Sequence, residues 1–295
     1  MMRSLLCSLF VLCSVPSFAQ RVLIVTAHPD DESGCAATVY KISKELGGTV
    51  DLAVITNGEA GYKYASLAGA VYGFDLTNEE VGRRELPSIR KRELMAGGKW
   101  IGIRNYFFFD QTDNHYTLDA DTVLKQVWDV EWVKHRLTEI MIEGGYDFIF
   151  TMLPTDETHG HHKAAGIIAL QTLSDLRIRS RRPVILGMGG GRKDAAKPYT
   201  EFTGYPVTKV DPGVPVFEFD KLQKFGYNGK LDYRIPVNWL ISEHKSQGVM
   251  QTYMNMGEKE YFYFFAMNSP DEVERVKTLF DRLNAPSNGS KGNRP

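Results

Sequence analysis

The chain is poor in cysteine and nearly balanced in charge, and each scarcity closes off a class of explanation. Only three of its 295 residues are cysteine. Two of them, Cys7 and Cys13, fall within the first nineteen positions, so Cys35 is left with no partner for an intramolecular disulfide. A lone cysteine among small residues reads as a small buried apolar side chain. The formal net charge is −1, so no global field draws the protein to nucleic acid or to an anionic membrane. The basic clusters Arg90-Lys91-Arg92 and Arg177 to Arg182 are short or interrupted and read as solvated helix faces. No internal repeat is visible. No phosphate-binding fingerprint follows Gly189-Gly190-Gly191, which reads as a flexible turn.

What is present begins with a leader pattern. Arg3 supplies a positive charge, Leu5 to Val15 an apolar stretch, and Ser17-Phe18-Ala19 a small-x-small cleavage site. Residues 1–19 are therefore expected to be a signal peptide, with Gln20 as the mature start and a secreted, periplasmic location. The apolar stretch is too short for a comfortable membrane span, so no stable membrane insertion is expected. A leucine precedes each of Cys7 and Cys13, which argues against a lipid anchor. Export without disulfides suits a bacterial periplasm, where a large domain relies on its core. At the other end, 285–295 is Ser, Gly, Asn and Pro without an apolar anchor and reads as a disordered tail. That leaves 20–284 as a single domain.

Strand-like runs recur at Val22–Ala27, Val50–Thr56, Asn105–Asp110, Tyr146–Leu153 and Val184–Met188. Helix-like segments lie between them at Ala36–Leu46, Ile89–Trp100, Trp132–Glu143 and Lys163–Arg179. In the third, Val133, Leu137, Ile140 and Met141 form one apolar stripe. The alternation predicts a three-layer α/β/α, Rossmann-like fold with a mostly parallel sheet. Gly61 to Pro87 reads as a long excursion of the kind that forms lids. Its aromatics Tyr62, Tyr64, Tyr72 and Phe74 suit either sugar stacking or loop packing. From about 199 to 284 the pattern suggests a β-rich or irregular appendage.

The chemistry concentrates at two strand ends. His28-Pro29-Asp30-Asp31-Glu32 follows the first strand, and Pro154-Thr155-Asp156-Glu157-Thr158-His159-Gly160-His161-His162 follows the fourth. In open α/β sheets ligands bind at such edges. A His and an Asp from one loop plus a His from the other make the three-ligand, open-position set of a catalytic zinc. N/O ligation also fits iron, cobalt or nickel.

These segments resemble the PIG-L/LmbE-like de-N-acetylases, which remove acetyl groups from N-acetylglucosamine-type sugars. The resemblance rests on Ala27-His28-Pro29-Asp30-Asp31-Glu32, Thr56-Asn57-Gly58-Glu59, Arg90-Lys91-Arg92-Glu93-Leu94, Asp110, His159-x-x-His162 and Glu243-His244-Lys245-Ser246-Gln247, in that order. It implies an LmbE-like fold and a metal held by His28, Asp31 and His162. It implies Asp30 as the general base and His159 as the group that stabilises the oxyanion or assists the leaving amine, with a cationic imidazole suited to that task. Arg90 and Asp110 match positions that hold sugar hydroxyls. The implied partner is a small-molecule or glycan substrate carrying an N-acetylamino sugar.

Two departures stand out. The family often has an acid beside the metal-binding histidine where this chain has His161, which reads more as a solvated bystander than as a ligand. Asp156 or Glu157 is expected to supply the missing carboxylate. A lysine that often precedes the late histidine is also absent, with Val237 and Asn238 in that region, so His244 reads as structural. Two other functions stay open: hydrolysis of a different C–N bond by the same site, and carbohydrate binding without turnover.

Overall fold

In the computed structural model, which describes residues 19–177, 181–189, 195–252 and 256–287, the run Val22–Val25 forms the middle of the sheet. All four side chains are fully buried, as expected of a parallel strand covered on both faces. Strands β1 (Arg21–Thr26), β2 (Thr49–Thr56), β3 (Ile103–Gln111), β4 (Phe148–Met152) and β5 (Val184–Gly189) are parallel, in the spatial order β3-β2-β1-β4-β5. Alternate residues of each strand feed two cores. Val22, Ile24, Leu52 and Phe150 face one layer of helices, and Leu23, Val25, Ala53 and Ile149 the other. The stripe Val133, Leu137, Ile140 and Met141 packs in the second core, on helix Val130–Gly144. The fold is thus a three-layer α/β/α arrangement.

The β-rich or irregular segment after residue 199 is built into this sheet. Strands β6 (Phe217–Asp220), β7 (Lys224–Phe225), β8 (Leu231–Asp232) and β9 (Lys259–Phe264) follow in sequence. β9 pairs antiparallel with β5, and β6 with β9, which lengthens the sheet to seven strands; β7 and β8 form a separate ribbon. Among the described residues no helix is long and apolar enough to cross a membrane.

The excursion expected from Gly61 to Pro87 ends sooner. Helix Glu79–Ile101 continues across Pro87, with Asn78 as its N-cap accepting from the Val81 amide at 3.1 Å. An interior proline removes one helical hydrogen bond. Burial of Leu86 and Ile89 against Ala65, Ala68 and Leu76 offsets that loss and carries the helix on to Gly102. Tyr72 donates to Glu93, and Tyr62 packs on Arg83, whereas Tyr64 and Phe74 remain exposed.

Residues 1–18 and 288–295 lie outside the described set, and with them most of the leader and tail. Of the tail, the Ala285 carbonyl accepts from Lys41, and the Ser287 hydroxyl sits 2.7 Å from that of Tyr233. Gly190 and Gly191 also lie outside it.

Candidate active site

β1 and β4 are adjacent, but the chain leaves β1 for β2 on one side and β4 for β5 on the other. Their C-terminal ends therefore border the switch point at which open α/β sheets bind ligands. The two loops meet there. His28 Nδ1 lies 3.1 Å from His162 Nε2 and 3.6 Å from Asp31 Oδ2, and His162 Nε2 lies 3.1 Å from Asp31 Oδ1. Ligands at about 2.0–2.1 Å from a tetrahedral ion stand roughly 3.3 Å apart, so these residues fit a zinc-type ion with a position left open. The Ala27 and His28 amides donate to Asp31 Oδ2 at 3.1 and 2.7 Å, leaving Oδ1 free for the ion. The Thr158 hydroxyl lies 3.0 Å from His162 Nδ1 and fixes the ring. Burial alone would raise Asp31, but His162 and His28 outweigh it and hold the carboxyl well below its usual range.

Asp30 stands beside that set and is held by Arg90. Its backbone has φ 151° and ψ −17°, a conformation that L-residues rarely adopt and that costs roughly 1–3 kcal/mol. Arg90 Nη2 lies 3.0 Å from Asp30 Oδ2 and donates to the Pro29 carbonyl at 2.8 Å; its Nη1 donates to the Gly58 carbonyl at 2.6 Å. The guanidinium thus clamps the strained residue from three directions. Gly58, at φ 69°, is required there because a Cβ would stand 2.2 Å from Arg90 Nη1. Burial pushes the Asp30 carboxyl above its ordinary range; Arg90 opposes that shift and the Asp31 charge reinforces it.

Most of the sequence motifs hold one another. Both the amide and the hydroxyl of Thr56 donate to the Ala27 carbonyl at 2.8 Å. Glu93 accepts from the Ser246 amide and hydroxyl at 2.8 and 2.5 Å. His244 Nε2 lies 2.6 Å from Glu32 Oε1, and both residues are fully buried. Glu32, Glu93 and His244 therefore brace the metal loop from behind.

Several expectations change. Arg90, expected at sugar hydroxyls, is 3% exposed and committed to protein atoms. Asp110 is exposed, has a positive φ and pairs with Lys91. His159 is not a cation. Burial, then the neighbouring His28, His161 and His162, press its pKa down to about 3. Its Nδ1 accepts from the His161 amide at 3.0 Å and caps helix Gly160–Asp175, so the neutral ring carries its proton on Nε2. That tautomer remains a hydrogen-bond donor.

His161 is not a solvated bystander. It is fully buried, stacks on Trp128 with ring centroids 5.4 Å apart, and has Nδ1 3.1 Å from Asp113 Oδ1. The carboxylate that completes the histidine cluster is thus Asp113; Asp156 and Glu157 are exposed and line a groove of about 470 Å³ beside the loop. The sequence pointed to Asp156 or Glu157 because they neighbour the histidines along the chain, whereas Asp113 lies in a loop 48 positions earlier. The anchoring of 113–114 by Arg83, which donates to both carbonyls at 3.0 and 2.7 Å, leaves no local pattern.

Three side chains that could hold a metal ion, with a further carboxylate beside them at the edge of a mostly parallel sheet, make an α/β arrangement chemically suited to hydrolysis. Residues 23–173, more than half of the chain, match the model of the family described as PIG-L, GlcNAc-PI de-N-acetylase. The chain belongs to that family. A probable N-acetyl-α-D-glucosaminyl L-malate deacetylase 2 of Bacillus cereus is 27% identical over 166 residues, 56% of this chain and 66% of that protein. Its namesake in Bacillus subtilis is 26% identical over 154 residues, 52% of this chain and 61% of that one. The chain thus spans just under two thirds of the length of the curated relatives it matches. Among solved structures, the 4-carboxy-2-hydroxymuconate hydratase GalB of Pseudomonas putida KT2440 shares the fold. Its TM-score is 0.54 at 13% identity, with 85% of this chain and 98% of that one covered.

Proposed function

We propose that this protein is a metal-dependent deacetylase that removes the N-acetyl group from an N-acetylglucosamine-type sugar or glycoconjugate, releasing acetate and a free amine. The observation that carries the reading is the convergence of His28, Asp31 and His162 within 3.1–3.6 Å of one another, with Asp30 beside them but turned to Arg90. Family membership and the printed activity of the Bacillus relatives support the choice of bond and sugar. An ion held by these three residues, zinc or a similar divalent metal, would polarise the acetyl carbonyl and make water a nucleophile near neutral pH.

The chain's own residues do the rest. Asp30 takes the proton of the attacking water and returns it to the departing amine; its raised pKa brings it nearer the operating pH of a general base. His159 donates from Nε2 to the oxygen that gains charge in the tetrahedral intermediate, a contact typically worth about 2.7–4 kcal/mol. Arg90 holds the Asp30 carboxylate in place beside the ligand set. The leader pattern at residues 1–19 supports an exported, periplasmic enzyme acting on envelope or scavenged glycans; a mature N-terminus other than Gln20 would count against that placement.

The test is acetate release from N-acetylglucosamine conjugates by the metal-loaded mature protein, with Asp30→Asn as control. Release by the wild type alone is expected. Sugar binding without release would favour a carbohydrate-binding protein, and release of a different acyl or amine product would favour another C–N hydrolase.

A further inference from the structure

The side of His28 that faces away from Asp31 and His162 meets a second set of ligand atoms. His28 Nε2 lies 3.3 Å from His161 Nδ1 and 3.8 Å from Asp113 Oδ2, and His161 Nδ1 lies 3.1 Å from Asp113 Oδ1. His159 completes the group, each residue offering one atom within 4.8 Å of the others. These separations again resemble the edges of a tetrahedral site, roughly 3.3 Å for nitrogen and oxygen ligands. Asp113 is 4% exposed and His161 fully buried.

Hydrogen bonding leaves this cluster incomplete. His161 Nε2 lies 3.0 Å from Asn114 Oδ1, and donation there leaves a lone pair on Nδ1. When His28 Nδ1 faces an ion, the His28 Nε2 proton goes to that lone pair. In that tautomer Asp113 Oδ1 has no donor, because His161 Nδ1, 3.1 Å away, presents a lone pair and no aligned hydrogen bond reaches this buried oxygen. Buried polar atoms are nearly always satisfied, and an acceptor set against a lone pair calls for a positive charge between them.

We propose that a second divalent cation binds here, held by His28 Nε2, His161 Nδ1 and Asp113, with His159 closing the set. It takes the place of the His28 Nε2 proton, which is released to solvent, so that His28 would serve both ions as an imidazolate. The first ion and Arg90 already balance the charge of Asp30, Asp31 and Asp113, so the second ion binds later and more weakly. Occupation also withdraws His159 from the acetyl oxygen. The site is therefore inhibitory, and the protein reads metal supply: one equivalent activates it and excess silences it.

The probe is zinc alone, titrated by calorimetry into chelator-stripped mature protein while acetate release is followed in parallel. Two successive equivalents are expected. Activity should rise with the first and fall by about a hundredfold as the second fills, the effect of losing an oxyanion donor. His161→Asn and Asp113→Asn should each bind a single equivalent and resist excess zinc, whatever their basal rate. A wild type that binds one equivalent, or that keeps full activity at saturating zinc, overturns the proposal while leaving the deacetylase reading intact; so does a second equivalent retained in both variants. Failure to bind any zinc or to release acetate at one equivalent would overturn that reading as well.

Discussion

Replacing Arg90 separates a clamp from a sugar-binding residue. Its guanidinium lies 3.0 Å from Asp30 and bonds two carbonyls, at 3% exposure, so solvent screens little of the interaction. An opposite charge this close commonly lowers a carboxyl pKa by about 1–3 units. Without it, the Asp30 pKa, already raised by burial, rises further. Protonated Asp30 cannot accept the water proton, so activity falls as pH drops through that pKa. In Arg90→Gln the acid limb of the kcat profile should move up by about 1–3 units, because the neutral amide no longer offsets the carboxylate charge. Arg90→Ala should also lower stability by leaving the half-buried Asp30 carboxylate without its partner, read by denaturant melts. Kinetics over pH on an N-acetylglucosamine conjugate are the assay. A raised KM with an unmoved acid limb would refute the clamp and restore the sugar-contact role.

Three further outcomes follow from the same geometry. His159→Ala should lower kcat by about 10²–10³ with the metal content unchanged, measured by steady-state kinetics beside elemental analysis. Asp156→Ala should leave kcat unaltered, because its exposed carboxylate orients nothing in the cluster; a large fall would reinstate it. His244→Gln tests the buried pair with Glu32. Burial opposes the His244 charge, but Glu32 outweighs it and raises the pKa. The pair's contribution to stability should be complete below about pH 6.5 and fade as pH rises through the raised value. Denaturation of wild type and variant should therefore converge at alkaline pH.

The sheet was legible because its central strands are apolar on both faces, and β1, β2, β4 and β5 lie within a residue or two of where the β-branched runs put them. The meeting of His28, Asp31 and His162 was legible because all three follow two strand ends that adjoin in the sheet. What sequence missed depends on distance along the chain. Pro87 reads as a breaker until Leu86 and Ile89 find Ala65 and Leu76. Asp113 carries no signal of its own until β3 brings it beside His161, 48 positions later. Arg90 sits in a motif, yet its inward direction follows from Gly58 and Pro29, which only the fold brings to it.

The most direct measurement is acetate release before and after chelation, with metal returned in fractions of an equivalent. Activity should vanish with the ion, return in proportion up to one equivalent, and fail to return in His162→Ala. Undiminished acetate release from thoroughly stripped protein would contradict the account.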